Sequence, residues 1–230
     1  MNSTVVLRGV SKRFDTPAEQ VVALADVSMV VNKGDFICVY GRSGSGKTTL
    51  LNVIAGLEVA DAGTVSVAGM SMDGADGEAR AGVRLRTMGV VFQDDNLLAE
   101  LTASENIELP LQALGLEPAQ ARADALKALT QVGIGDLGDR LPPEMSGGQR
   151  QRVGIARALT GGRSLILADE PTGSLDSVTS RELFELLGRL SSGGSTVVVV
   201  THDPLAREYA TRVMTMRDGV LTEDSGSVQR

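Results

Sequence analysis

Short apolar runs alternate with polar, glycine-containing turns along most of the chain, and segments with helical spacing lie between several of them. This alternation is typical of an α/β protein. Runs of strand length predict strands at residues 4–7, 27–31, 36–40, 63–69, 88–92, 164–168, 196–200 and 213–216. Between the two N-terminal strands, residues 15–20 predict a loop, and residues 72–82 predict a loop with a short helix.

From about Leu97 to Leu159 the pattern becomes helical. Thr102 and Glu105 have the spacing of a capping box at a helix start. Residues 117–132 are rich in Ala and Leu at helical spacing, with Pro118 at the start, where proline is tolerated. We therefore predict a helical lobe, approximately residues 94–160, inserted into one α/β domain that spans residues 1–230. A further helix is predicted at 179–190.

Composition limits the class of protein. The 230 residues are 42% hydrophobic, which suffices for one large core. No apolar run approaches the roughly 18–20 residues that cross a bilayer, and Arg8 interrupts the N-terminal apolar stretch, so we expect a soluble, cytoplasmic chain without a secretory signal. The single cysteine excludes an internal disulfide, and Cys38 is expected to be a small buried hydrophobe. Residues 224–230 contain few apolar side chains and are expected to form a flexible tail.

Charge and aromatic content weigh against nucleic acid as a partner. The net charge is −7, whereas phosphate backbones require a basic footprint. Aromatic residues make up 3% of the chain and tryptophan is absent, so stacking platforms for bases are scarce. No nucleic-acid partner is expected.

The segment Gly41–Thr48, GRSGSGKT, matches the phosphate-binding pattern GxxxxGK(S/T) at every fixed position. A predicted buried strand precedes it and a predicted helix follows it, which is the context that the motif requires. Gly44 and Gly46 allow successive backbone N–H groups to point at one phosphate. Lys47 is expected to reach the β- and γ-phosphates, and the Thr48 hydroxyl to hold Mg²⁺.

Two acids, Asp169 and Glu170, end the apolar strand at 164–168. Asp169 is suited to bind Mg²⁺ directly or through water, and Glu170 can polarise a water for attack on a γ-phosphate. The alternative is a strand terminus with solvated carboxylates. In a chain with a P-loop upstream, the catalytic interpretation is favoured over this alternative.

A second helix start that suits a phosphate lies at Ser146–Gln149, SGGQ. Ser146 is a good N-cap residue, and the two glycines leave backbone amides uncovered. The alternative is a capped helix without a ligand.

Three further polar residues follow strands or turns. Gln93 could bind metal or water, although a Gln after a strand is usually a surface residue. His202, the only histidine, could bridge the γ-phosphate and the catalytic acid, or simply be satisfied by its neighbours. Asp176 lies in a turn after Glu170 and could be an ordinary turn aspartate.

Taken in order, these motifs strongly resemble the ATP-binding cassette of ABC transporters, and the resemblance covers essentially the whole chain. It implies a P-loop NTPase fold with a RecA-like core, an antiparallel β subdomain and the inserted helical lobe. It also implies catalytic roles for Glu170, His202, Gln93 and Asp176, and metal binding by Thr48, Gln93 and Asp169. Nucleotide-binding roles carried over are those of Phe14, Gly41, Arg42, Ser43, Gly44, Ser45, Gly46, Lys47, Thr48, Thr49, Ser146, Gly147, Gly148 and Gln149.

The family's motif names carry over as follows. Gly41–Thr48 look like Walker A, Gln93 looks like the Q-loop, and Ser146–Gln149 look like the signature. Asp169 looks like the Walker B aspartate, with Glu170 as base, and His202 like the switch histidine. Phe14 resembles the aromatic residue that stacks on adenine, and Gly173–Asp176 the D-loop.

The family implies a head-to-tail homodimer or pseudo-dimer that binds two ATP molecules with Mg²⁺, each between Walker A of one subunit and the signature of the other. One feature of the chain agrees with this: the signature amides need a phosphate, and the P-loop already serves its own.

Finer similarity, including Gly56–Glu58 and Asn96–Leu98, points to the subclass of lipoprotein release, macrolide efflux and the cell-division ATPase. This implies an exporter whose integral membrane permease carries an extracytoplasmic domain and holds the cassette at the inner face of the membrane. Met145, Ser174 and Arg42 depart from the usual residues, and Ser174 leaves the details of subunit communication open. The region from Gln93 to about Leu116 is expected to dock the permease, with these candidates, of which the apolar ones equally fit a buried lobe core: Glu105, Asn106, Leu109 and Leu111.

Three other functions remain alternatives. A regulatory cassette would gate a membrane partner without moving a substrate. A cytosolic assembly or DNA-maintenance ATPase fits the acidic charge and the lack of long heptads poorly. A small-molecule kinase would leave SGGQ unexplained.

Overall fold

A computed structural model describes residues 3–15, 17 and 19–224, and it contains two sheets and a helical lobe. The first sheet is antiparallel, with strand order β2-β1-β4-β5. Its strands are β1 (Ser3–Asp15), β2 (Gln20–Asn32), β4 (Ala62–Val67) and β5 (Met70–Ser71).

The hairpin of β1 and β2 is much longer than the sequence predicts, because the apolar pattern indicates strand only at residues 4–7 and 27–31. Both strands have 13 residues, and register shifts interrupt their pairing between Ser3 and Arg13. These irregularities break the alternation of buried and exposed residues on which the prediction depends. The predicted loop at 15–20 shrinks to the connection between Asp15 and Gln20.

The second sheet is mostly parallel and has the order β10-β9-β3-β8-β7-β6. Strands β3, β8, β7, β6 and β9 are parallel, and β10 pairs antiparallel with β9. The carboxyl ends of the parallel strands therefore meet at one edge, where ligands bind in sheets of this kind. The strands are β3 (Phe36–Gly41), β6 (Met88–Val91), β7 (Leu165–Asp169), β8 (Thr196–Thr201), β9 (Arg212–Arg217) and β10 (Val220–Glu223).

Seven α-helices accompany the sheets in the described part of the chain. They are α1 (Lys47–Ile54), α2 (Gly77–Thr87), α3 (Ala103–Ala113), α4 (Pro118–Gln131), α5 (Gly147–Leu159), α6 (Ser177–Ser192) and α7 (Ala206–Tyr209). Within the residues that can be described, none of these helices combines the length and the apolar character needed to cross a membrane.

Three clusters of buried side chains hold these layers together. One lies between the two sheets and around α1, and a second covers the opposite face of the parallel sheet beneath α6. Cys38 belongs to the second cluster and is fully buried, as predicted, and burial raises the pKa of its thiol to about 12. The third cluster lies within the lobe, where α3, α4 and α5 pack together around buried side chains that include Ile107 of α3 and Leu129 of α4.

The capping box predicted at the start of α3 is confirmed. Thr102 Oγ1 accepts a hydrogen bond from the Glu105 backbone N–H at 3.3 Å, and Glu105 Oε2 accepts one from the Thr102 N–H at 2.8 Å. Such boxes depend on residues three apart, so they can be read from sequence.

Two of the candidate docking residues on α3 are buried: the prediction of a surface position was wrong for Asn106, and for Leu111 the alternative of a buried lobe core is confirmed. Leu111 is fully buried in the lobe core. The Asn106 side chain donates to the carbonyl oxygens of Leu98 and Leu101, at 3.0 and 2.9 Å, and so braces the loop before α3. Glu105 and Leu109 remain at the surface.

The C-terminal region also differs from expectation. Strand β10 was not predicted, because its pairing with β9 depends on a tight turn rather than on an apolar run. Asp224 is not part of a flexible tail: its carboxylate accepts from Arg207 at 2.6 Å and from Thr215 at 2.8 Å. Residues 225–230, the rest of that predicted tail, lie outside the described residues.

Strand β6 passes so close to α5 that position 89 has no room for a side chain. A Cβ atom on Gly89 would overlap the carbonyl oxygen of Ala158 and lie 2.7 Å from its carbonyl carbon. We expect Gly89→Ala to lower the free energy of unfolding by about 3 kcal/mol, because overpacking forces the backbone to move. Gly77→Ala, at the open start of α2, is the matched control and should unfold at or above the wild-type urea concentration. Equal midpoints for Gly89→Ala and the wild type would show that the strand can move freely.

Candidate active site

The loop after β3 has a shape that requires glycine at one position in particular. Gly46 has φ 103°, and a Cβ atom there would overlap the carbonyl oxygen of Ala23. The helix α1 begins directly after it, at Lys47. Its first N–H groups and its partial positive charge are therefore directed at the space above the loop, which suits a phosphate.

Lys47 folds back over this loop. Its Nζ donates to the carbonyl oxygens of Gly41 and Arg42, at 2.8 and 3.1 Å, and lies 3.5 Å from Glu170 Oε1. The side chain is only 6% exposed. The ammonium is thus held between the phosphate loop and the end of β7.

Asp169 ends β7 behind Thr48. Burial raises the pKa of the Asp169 carboxyl, while the neighbouring Thr48 hydroxyl acts in the opposite direction. Its Oδ1 is buried and has no hydrogen-bond partner among the residues that the structure describes. A buried oxygen of this kind needs a ligand or a cation to offset the cost of leaving water.

Glu170 follows in the left-handed backbone region, with φ 43°, which costs a residue with a side chain about 1–2 kcal/mol. Its Oε2 accepts from Thr201 Oγ1 at 2.8 Å and from the His202 backbone N–H at 3.2 Å, and it lies 2.9 Å from His202 Nδ1. Burial raises the pKa of Glu170, but the hydrogen bonds from His202 and Thr201 outweigh it, so that this pKa lies below its ordinary value. The carboxylate is therefore ionised at neutral pH.

Lys47 and Glu170 line one open pocket of about 560 Å³ at the carboxyl edge of the parallel sheet, which we call the catalytic pocket, whereas Asp169 is not part of its wall. Ten of the predicted site residues line it: Phe14, Ser43, Gly44, Gly46, Lys47, Thr48, Thr49, Gln93, Glu170 and His202. Val21, Ala23, Asp94, Gly173 and Ser174 complete its wall. Residues from the antiparallel sheet, the P-loop and three strand ends thus meet in one place.

Other predicted residues support this pocket from behind or lie outside its wall. Gly41 and Ser45 are buried beneath the loop, and Arg42 contributes its carbonyl oxygen to Lys47. Ser45 Oγ is buried and lacks a hydrogen-bond partner in the described part of the chain.

Phe14 lies at the mouth of the pocket, on β1. Its side chain is 36% exposed, and Lys12 Nζ is 5.3 Å from the centre of its ring. An exposed aromatic face at the rim could stack on a base.

The signature segment, Ser146–Gln149, lines a different pocket of the same chain. Ser146 Oγ accepts from the Gln149 backbone N–H at 3.3 Å, and Gln149 Oε1 accepts from the Ser146 N–H at 2.9 Å, which confirms the predicted cap of α5. With Gly148, these residues line a second pocket of about 600 Å³. Ser174 belongs to the walls of both pockets.

Asp176 lines this second pocket and not the first. Its Oδ1 accepts from the backbone N–H groups of Val178 and Thr179, at 3.0 and 2.9 Å, and so caps α6. The cap occupies the carboxylate in this chain, and a catalytic role for Asp176 stays a prediction.

Sequence reasoning missed the residues that tie the strand ends together. Thr201 contacts Glu170, and Thr172 Oγ1 donates to Asp203 Oδ2 at 3.1 Å, which links the turn after β7 with the turn after β8. The sequence offered only a hydroxyl residue directly before His202, a pattern too common to interpret alone.

Comparison with known proteins defines the class of protein to which this fold and site belong. The family model for the ABC transporter matches residues 24–173. The chain therefore belongs to the ABC transporter family, as one of its ATP-binding cassettes, and it hydrolyses ATP.

Particular relatives and solved structures agree with that class. The chain is 42% identical over 227 residues, 99% of its length, to the macrolide export ATP-binding/permease protein MacB 1 of Yersinia pestis bv. Antiqua (strain Antiqua). It is 40% identical over 224 residues, 97% of its length, to MacB of Salmonella typhi. It spans about a third of these relatives, 35% in each case.

The fold matches a dimeric structure of the ATP-binding cassette MJ0796 in a post-hydrolysis state, bound to ADP and Pi. The TM-score is 0.91 at 37% identity, over 96% of this chain and 99% of that one. A second dimeric structure of MJ0796, described as a bacterial ABC transporter cassette, matches with the same TM-score at 36% identity, over the same shares of the two chains. The predicted fold class is thus confirmed.

Proposed function

We propose that the chain powers an exporter: two copies close on two ATP molecules, and hydrolysis in the catalytic pocket reopens them and drives a membrane permease. The observation that carries this proposal is the presence of two helix starts that suit a phosphate in two different pockets of one chain. The start of α1 belongs to the catalytic pocket, and the start of α5 belongs to the signature segment. A single nucleotide in the catalytic pocket leaves the signature amides without a partner.

In the proposed reaction, the oxygen of a water attacks the γ-phosphorus of ATP while the bond from that phosphorus to the β,γ-bridging oxygen breaks. ADP leaves, and the water proton passes to Glu170 Oε1, the oxygen that faces Lys47. Lys47 turns from the P-loop carbonyl oxygens to the phosphates, and His202 donates toward the γ-phosphate. Positioning and charge neutralisation supply most of the rate in such reactions.

The residues around Asp169 fit a magnesium ion. The Thr48 hydroxyl neighbours the Asp169 carboxylate, and Gln93 lines the same pocket as Thr48. Mg²⁺ prefers such oxygen ligands. The unpartnered, buried Oδ1 of Asp169 supports this fit. The ion would neutralise charge on the β- and γ-phosphate oxygens.

We expect Asp169→Asn to lower the rate of ATP hydrolysis by at least about a hundredfold, the loss typical of one preorganised electrostatic group. The asparagine has nearly the same shape, so the fold and Mg²⁺-free ATP binding should persist. Titration calorimetry should show that Mg²⁺ no longer strengthens ATP binding. Asp94→Asn, at another carboxylate in the pocket wall, is the control. An equal loss in both variants would indicate that only the total charge of the pocket matters.

The reciprocal dimer can be tested by trapping it. Glu170→Gln should bind ATP without hydrolysing it, so light scattering after size exclusion in Mg²⁺-free ATP should give twice the mass of the chain. Adding Lys47→Ala should return the mass to that of a monomer. A Glu170→Gln protein that binds ATP and remains monomeric at every protein concentration would argue against closure by ATP.

Export is supported by the MacB relatives, which are macrolide export ATP-binding/permease proteins. We propose a permease that carries an extracytoplasmic domain and holds the chain at the inner face of the membrane. On this chain, Leu109 is 50% exposed on α3, and Leu98 is 48% exposed in the loop before it. We propose that this side of the lobe docks the permease.

In proteoliposomes with the permease, Leu109→Glu should leave the basal hydrolysis rate unchanged but abolish its coupling to substrate flux. Leu126→Glu, on α4, is a control at another exposed leucine. Hydrolysis that responds to the permease without any flux would instead identify a regulatory cassette.

A further inference from the structure

The hydroxyl of Thr201 lies directly behind Glu170, and the proposed reaction does not use it. Thr201 ends β8 and is fully buried. Its Oγ1 donates to Glu170 Oε2 at 2.8 Å and accepts from the Asp203 backbone N–H at 3.0 Å. A hydroxyl has a single proton, so the bond from Asp203 orients the oxygen and directs that proton to the carboxylate.

The other side-chain partners of Glu170 are those that a nucleotide would attract. The His202 side chain is 72% exposed, and Lys47 Nζ lies over the phosphate loop. Both can turn toward phosphates when ATP binds. Thr201 is fixed at the end of a buried strand and cannot follow them.

We propose that Thr201 is a positioning residue that anchors Glu170 Oε2 and so keeps Oε1 facing the attacking water once His202 and Lys47 have turned to the nucleotide. The proposal rests on the proposed role of Glu170 as base. The His202 backbone N–H shares the task, since it also donates to Oε2, at 3.2 Å.

A positioning group is needed here because the backbone of Glu170 is strained. A left-handed residue persists only where its surroundings hold it. The turn itself has two supports that do not involve the Thr201 hydroxyl: the Glu170 N–H donates to the Val200 carbonyl at 2.9 Å, and Thr172 donates to Asp203. Loss of that hydroxyl should therefore free the carboxylate without unfolding the turn.

The test is steady-state ATP hydrolysis by Thr201→Val, which removes the hydroxyl at nearly constant volume. We expect kcat to fall on the order of tenfold, the effect of losing one hydrogen bond to a charged group, while KM for ATP stays within about twofold. Thr201→Ser keeps the hydroxyl and should restore kcat. Thr201→Ala gives the same comparison if the valine variant does not fold.

Thr196→Val is the matched control. Thr196 begins the same strand, is equally buried, and its hydroxyl lies 3.0 Å from that of Thr4 rather than near the pocket. We expect its kcat to equal that of the wild type. A tenfold fall in this control would show that any buried hydroxyl on β8 matters and would overturn the proposal.

Three further results would also overturn it: a wild-type kcat in Thr201→Val, a serine variant no more active than the valine variant, or a raised KM with unchanged kcat.

Measuring Glu170→Gln in the same assay separates failure of the proposed base from failure of the positioning role of Thr201. If Glu170→Gln is fully active, the proposed base is wrong, and the role of Thr201 falls with it. If Glu170→Gln is inactive and Thr201→Val is normal, only the positioning role fails. Combined with Glu170→Gln, Thr201→Val should cause no further loss, since both act through one carboxylate.

Discussion

Replacing Glu170 by Gln should lower kcat for ATP hydrolysis by about 10²–10⁴, the usual contribution of a general base, while ATP still binds. Glutamine has nearly the same shape and can still accept from Thr201 and His202 through its amide oxygen. It cannot accept the proton of the attacking water. The loss should therefore appear in kcat, and KM for ATP should not rise.

The measurement is phosphate release at saturating ATP, with ATP affinity determined separately by calorimetry. Glu185→Gln, on α6, is a control at a carboxylate outside the catalytic pocket. If Glu170→Gln hydrolysed ATP at the wild-type rate, the hydrogen bonds to its carboxylate would serve structure alone. If it failed to bind ATP, the ion pair with Lys47 would be the more important function of Glu170.

Replacing Lys47 by Ala should have an effect as large, but on binding as well as on rate. The ammonium lies over the P-loop, within 3.1 Å of two of its carbonyl oxygens. Without it, the phosphates lose their main side-chain cation. We expect hydrolysis to fall at least about a thousandfold and ATP affinity at least about tenfold.

Lys33→Ala is the matched control, because Lys33 is an exposed lysine in the turn before β3. Fluorescence titration with a labelled ATP analogue gives the affinities, and urea unfolding confirms that both variants fold. An Lys47→Ala protein with wild-type affinity and rate would contradict the assignment of the P-loop. Equal losses in both variants would point to net charge rather than to a specific contact.

Those parts of the site that depend on neighbouring residues could be predicted from the sequence. The P-loop, its flanking strand and helix, and the caps of α3 and α5 are all set within a few positions, so their chemistry is visible in the chain itself. The strand ends at Asp169 and His202 were predictable because an apolar run followed by polar residues indicates where a buried strand emerges.

Features that depend on distant contacts could not be predicted. The proposed role of Thr201 depends on its hydrogen bond to Glu170, which lies 31 positions away in the chain. Asn106 resembled a surface residue because asparagine is polar, yet its side chain is buried and its amide donates to carbonyl oxygens of the loop before α3. Strand β10 contains only 4 residues and is held by pairing with β9 rather than by an apolar pattern.

The central claim is that each working site is built from two copies of the chain, and complementation between two inactive variants tests it most directly. One variant is Lys47→Ala, which disables the P-loop. The other is Gly147→Asp, which places a carboxylate in the signature segment. Position 147 has room for a side chain, and an acid at the first turn of α5 favours the helix, so the fold should persist while the phosphate is repelled.

Each variant alone should be inactive. An equal mixture should recover about a quarter of the wild-type rate, because half of the dimers are mixed and each of these has one intact site out of two. The recovered rate should rise with protein concentration, as expected for association. A mixture that stays inactive although both variants fold, or a Gly147→Asp protein with full activity on its own, would contradict a site shared between two copies.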